Sequence, residues 1–155
     1  MSEGLITFFA SFAIWLMFFG LLILWIIDGR IKKEVALHAI VAAVSDWVAS
    51  EMIKSLFPTL RPFEITGLSP LTLTVPAGAA FPSGHTASAF ALAASVWQHD
   101  KKIGLAFIVA AVGVALGRVL GNVHFPLDVV GGAALGTFVS VVFGKLHVWK
   151  LISRG

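Results

Sequence analysis

The sequence contains no cysteine, which removes disulfides, thiolate nucleophiles and cysteine-bound metals together. Charge is also scarce. Asp, Glu, Lys and Arg make up 12% of the residues against 58% hydrophobic ones, and a mean hydropathy of +0.95 excludes an ordinary soluble domain. The basic residues behind the net charge of +3 are few and scattered, so no nucleic-acid partner is expected. Repeats and low-complexity tracts are absent, and 155 residues leave no room for a second domain. No Lys or Arg precedes the first apolar run, Leu5 to Ile27, which is longer than the core of a signal peptide. A retained transmembrane helix is therefore expected there.

The remaining segments follow from hydropathy and from the breaks between them. A second helix is expected from Val35 to Phe57; it carries Asp46, Ser50 and Lys54 at i, i+4 and i+8, on one face. Pro58 to Ala80 is rich in proline and glycine and reads as an irregular surface loop. A short third helix spans Ser83 to Gln98, a fourth Ile103 to Leu120 and a fifth Asp128 to His147. Gly113, Gly117 and Gly121, like Gly132 and Gly136, lie four apart and suit close helix packing. The fold class is all-α: one polytopic membrane domain over residues 1–155, a bundle of about five transmembrane helices. Tracing the loops puts Arg30, Lys32, Lys33, Lys101, Lys102, Lys145, Lys150 and Arg154 on one face, and Lys54, Arg61 and Arg118 on the other. By the positive-inside rule the first face is cytoplasmic and the second faces the periplasm or exterior.

That outer face gathers the polar chemistry. Arg118, His124 and Asp128 fall within one short stretch, where each charge would cost roughly 2.5–3.5 kcal/mol at a bilayer centre unless it met partners or water. With a helix beginning near Asp128, the carboxylate can accept from one ring nitrogen of His124 and leave the other free to attack. Lys54, Arg61 and Arg118 supply charge for phosphoryl oxygens, the arginines in bidentate fashion. The start of the third helix adds backbone N–H groups near Ser83 and Gly84 and the positive end of a dipole. Two histidines, His85 and His124, can divide attack and protonation between them. These residues together describe a phosphate site.

Lys54-x6-Arg61-Pro62, Pro82-Ser83-Gly84-His85 and Arg118-x5-His124-x3-Asp128, in this order, resemble the three-part signature of the type 2 phosphatidic acid phosphatase family, which includes lipid phosphatases and diphosphatases. The resemblance implies that His124 is the nucleophile, forming a phosphohistidine, that Asp128 orients it and that His85 is the general acid. It implies phosphate binding by Lys54, Arg61, Ser83, Gly84 and Arg118, with no metal and no other cofactor. Two departures stand out. Gly117 occupies a position where the family usually has serine, and the five expected helices are one fewer than in the better-known bacterial members, the missing one lying on the N-terminal side.

The implied function is a membrane lipid phosphatase, with undecaprenyl diphosphate, similar to the substrate of many small bacterial members, expected ahead of phosphatidylglycerophosphate, phosphatidate and lipid A 1-phosphate. A bacterial cytoplasmic membrane is the expected location. Two other classes are a non-catalytic lipid-phosphate carrier, which would not need both histidines, and a vanadate-dependent peroxidase, usually a soluble enzyme. Asp46 and Glu51 read as structural residues paired with Lys54 or with a neighbouring helix, and Glu64 as a partner of an active-site cation or of His85. His38, His99 and His147 read as interface or loop residues, and Trp15, Trp25, Trp47, Trp97 and Trp149 as interfacial or packing aromatics.

Overall fold

The computed structural model describes residues 2–27 and 30–145, with the side chains of residues 30–32 left aside. Expectations that fall on the side chains of Arg30 and Lys32, and on His147, Trp149, Lys150 and Arg154, lie outside the described residues. The described chain is helical, with no strand. Helix α1 covers Glu3–Ile26, with one π turn at Phe8–Phe12. Then come α2 (Arg30–Leu56), the short α3 (Pro62–Thr66), α4 (Gly84–His99), α5 (Lys101–Leu120) and α6 (Pro126–Lys145). Four of these, α1, α2, α5 and α6, are long and apolar enough to cross a membrane. At 16 residues α4 reaches about 24 Å, short of a hydrocarbon core of roughly 30 Å, as the sequence suggests.

Helix α4 is the hub, packed against α2, α5 and α6. Its buried positions are mostly small, Thr86, Ala87, Ala89, Ala91, Ala93 and Ser95 among them, so neighbouring backbones come close. Among lipids as apolar as leucine, helix association relies on this kind of van der Waals contact. Helix α6 meets it with glycine. A Cβ on Gly132 would lie 2.5 Å from the Ser83 carbonyl oxygen, and one on Gly136 would overlap the Ala87 carbonyl. Helix α1 packs on α5 through Phe9 and Ala10, and its Ile14 and Met17 join a core with Leu92, Val96 and Val114.

Several details differ from expectation. Helix α2 starts at Arg30, because charged Lys and Glu residues are sound helix formers although they fall outside the apolar run. Helix α6 starts at Pro126, whose fixed φ suits the first helical position. The loop after α2 contains α3, opened by Pro62 and closed by Gly67 at φ 71°. At the C-terminal end of α4, His38 Nδ1 lies 3.1 Å from His99 Nε2, and His38 Nε2 lies 3.0 Å from the Ser140 carbonyl oxygen. This pair locks α2, α4 and α6 together, an interface role. Trp97 carries Lys101 over its ring at 4.6 Å.

Candidate active site

The start of α6 and the turn before it fix the His124 and Asp128 pair. Asp128 is the third residue of α6, and its Oδ2 reaches back to accept the Phe125 N–H at 2.8 Å, half of a capping box. The same Oδ2 lies 3.6 Å from His124 Nδ1, longer than a hydrogen bond, and both side chains are buried, so the carboxylate stands where it would attract the ring once that becomes cationic. Asn122, just upstream, adopts φ 61° and donates from Nδ2 to the Leu68 carbonyl at 3.0 Å. Its own carbonyl accepts from Phe63 N at 3.1 Å. The turn that carries His124 is thereby tied to α3 and hence to Arg61, the residue just before that helix.

Arg61 is buried and fully engaged. Nε donates to the Gly78 carbonyl at 2.9 Å, Nη2 to Ala77 and Ala79, and Nη1 to Val123 at 3.1 Å. Nη1 also lies 3.3 Å from His124 Nε2. Because a guanidinium can only donate, Nε2 must carry the lone pair and Nδ1 the proton, which then points toward Asp128. Burial pulls the His124 pKa down to about 4, with Asp128 opposing the shift and the Arg118 and Arg61 charges reinforcing it. The ring is therefore neutral at ordinary pH, with Nε2 facing the cavity.

The cavity has a volume of about 460 Å³. Lys54, Arg61, Gly84, His85, Arg118 and His124 line its polar end, together with Glu51 and Ser88. Lys54 Nζ bonds Glu51 Oε1 at 2.7 Å and sits over the first turn of α4, 3.5 Å from where a Cβ on Gly84 would be. At the apolar end, Ile14, Trp15 and Phe18 of α1 face Ala43, Val44 and Trp47 of α2. Trp15, Val44 and Trp47 are also exposed on the outer surface of the bundle, so the cavity opens sideways between α1 and α2.

Six of the eight residues singled out from sequence line this one cavity. Asp128 stands behind His124. Ser83 is fully buried, with Oγ 3.0 Å from Thr86 Oγ1, and its N–H donates to the Asp128 carbonyl at 2.9 Å; it joins α4 to α6 at the back of the site. Glu64 meets neither His85 nor a cationic side chain by hydrogen bond, and its Oε2 accepts from the Arg61 backbone N–H at 2.6 Å. Asp46 is buried and accepts from Ser88 Oγ at 3.3 Å. Sequence reasoning missed Ser88 and the α1 residues, because only packing brings α1 beside the motifs.

A family model described as the PAP2 superfamily matches residues 34–151. The chain belongs to the PAP2 superfamily. It is a phosphoric ester hydrolase of the kind that acts on lipids, built as an integral membrane protein. The bacitracin transport permease protein BcrC of Bacillus licheniformis is 26% identical over 88% of this chain and 67% of its own length. The undecaprenyl-diphosphatase BcrC of Bacillus subtilis is 23% identical over 91% of this chain and 72% of its own. In solved structures, Aquifex aeolicus LpxE superposes with a TM-score of 0.75 at 30% identity, covering 92% of this chain and 85% of that one.

Proposed function

We propose that this PAP2 protein hydrolyses an isoprenoid diphosphate lipid, undecaprenyl diphosphate in particular, through a phosphohistidine on His124 and without a metal. The observation that carries the reading is the single cavity, with paired histidines and cations at one end and a side opening between two helices at the other. A lipid entering from the bilayer places its tail against Ile14, Trp15, Phe18, Ala43, Val44 and Trp47 and its head group among the cations. One slot between two helices suits a single isoprenoid tail better than a multiply acylated lipid. Relatives named undecaprenyl-diphosphatase from Bacillus subtilis and Sulfolobus acidocaldarius support the same substrate.

In the first step His124 Nε2 attacks the terminal phosphorus, forming an N–P bond as the bridging O–P bond breaks. His85, at the start of α4, donates its proton to the departing lipid phosphate oxygen. Asp128 stabilises the imidazole as it becomes cationic. Arg61 Nη1 lies where the phosphoryl group arrives, and shifts from Nε2 to a phosphoryl oxygen. Lys54, Arg118 and the backbone N–H of Gly84 at the first turn of α4 take the remaining charge. Water then attacks phosphorus, His85 accepts its proton, and breakage of the N–P bond releases orthophosphate and restores neutral His124. The active site opens to the periplasmic or exterior side of a bacterial cytoplasmic membrane, in keeping with the distribution of Lys and Arg.

Lipid A 1-phosphate is a second reading, favoured by 34% identity over 62 residues to a lipid A 1-phosphatase of Rhizobium johnstonii. The deciding experiment follows phosphate release by the detergent-purified protein in EDTA from undecaprenyl diphosphate, lipid A, phosphatidylglycerophosphate and phosphatidate. Wild type is expected to prefer undecaprenyl diphosphate and His124→Ala to lose activity by at least about 10³-fold. Release that survives in His124→Ala refutes the phosphohistidine, and no release from any lipid points to a carrier.

A further inference from the structure

The π turn of α1 ends with the Ala13 N–H bonded to the Phe8 carbonyl, five residues back. Such a turn holds one residue more than an α turn and re-aims the main-chain groups around it. Here the group concerned is the Ala10 carbonyl. It accepts from Arg118 Nη1 at 2.9 Å, deep in the bundle, where Ala10 is 1% and Arg118 4% exposed. A guanidinium is planar, so anchoring Nη1 orients the whole fork. Buried Nε is left without a partner, while the guanidinium lines the cavity beside His85 and His124. The Nε and Nη2 edge is the one suited to two oxygens of a phosphoryl group.

This contact needs glycine at 117. A Cβ there would lie 2.6 Å from Ala10 N, 2.7 Å from the Phe9 carbonyl carbon and 2.8 Å from Phe9 Cβ. Two of those three are backbone atoms, which cannot swing aside. A Cβ on Gly113 would lie 2.8 Å from the Phe9 ring and one on Gly121 3.5 Å from Ala10 Cβ, so the three glycines form a groove that seats this turn of α1. The residue before Arg118, a serine in the signature that the third motif resembles, is here the floor of that groove.

We propose that the π turn of α1 is a positioning element of the phosphate site: the Ala10 carbonyl sets the Arg118 fork toward the substrate, and Gly117 admits the turn that carries it. The inference rests on the phosphatase reading and adds α1 to its machinery.

The test uses the full chain in detergent, with orthovanadate as a tetrahedral probe competing against undecaprenyl diphosphate. Gly117→Ser lifts α1 off Arg118 and is expected to raise both the vanadate inhibition constant and KM by about tenfold, the loss of one charge-assisted contact, with a smaller change in kcat. Deleting the exposed Phe12, which removes the extra residue of the π turn, is expected to do the same and carries the test if Gly117→Ser does not fold. Gly20→Ala is the control for disturbed α1 packing, since its Cβ meets only the end of the Phe107 ring, at 3.3 Å; it should leave the inhibition constant unchanged. A folded Gly117→Ser or Phe12 deletion with the wild-type inhibition constant overturns the proposal, as does an equal rise in Gly20→Ala. A wild type that neither turns over nor responds to vanadate fails the phosphatase reading instead.

Discussion

Asp128→Asn separates the two jobs of one carboxylate. The asparagine oxygen can still accept the Phe125 N–H, so the start of α6 keeps its cap, while the charge beside His124 is gone. Two unit charges 3.6 Å apart attract by about 4–5 kcal/mol at an effective dielectric constant of 20. That attraction is absent when His124 is neutral and develops as the Nε2–P bond forms. If about half the charge has developed in the transition state, the loss is about 2 kcal/mol, or about 30-fold in kcat; full development gives about 10³-fold. The assay is steady-state lipid hydrolysis with kcat and KM resolved, and thermal unfolding of the same preparation as the control. The expected result is a kcat lowered about 30- to 10³-fold, KM within about threefold and an unfolding midpoint near wild type. A kcat within about threefold of wild type would refute an electrostatic role for Asp128 at His124.

The low pKa of His124 sets two pH dependences. Its nucleophilic form persists on acidification until the pH nears 4, so a rate profile whose acid limb for His124 falls near 6.5 would contradict the buried geometry. Because the folded pKa lies below the unfolded value of 6.5, stability from neutral His124 is present above 6.5 and is lost as pH falls from 6.5 through 4, which unfolding midpoints across that range would register. Gly136→Ala drives a methyl group into the Ala87 carbonyl at the junction of α6 with α4 and should destabilise the bundle by about 1–3 kcal/mol, read from thermal aggregation in detergent; a neutral result would show that this helix pair is loosely packed. Asn122→Val loses the Nδ2 bond to Leu68 and puts a branched residue at φ 61°, while Asn122→Gly keeps the backbone relaxed; the valine variant should lose about 1–3 kcal/mol more than the glycine one, and equal midpoints would argue against strain at this turn.

The cations, the two histidines and Asp128 were legible in the sequence because charge in an apolar chain needs a partner, and their spacing places them at helix ends on one face. The all-α membrane fold was legible for a simpler reason: in lipid every backbone N–H and C=O needs an internal partner, and long apolar runs meet that need only as helices. Glycines four apart announced close packing but not against what. Tertiary structure decided that Gly117 is the seat of α1, that Arg61 binds loop carbonyls and His124 together, and that Ser83 turns to Thr86. It also decided that Glu64 serves the Arg61 backbone. These outcomes depend on which backbone atoms approach across more than a hundred residues, as Ala10 does to Arg118. Local patterns encode which face a residue occupies. Only packing determines what lies opposite.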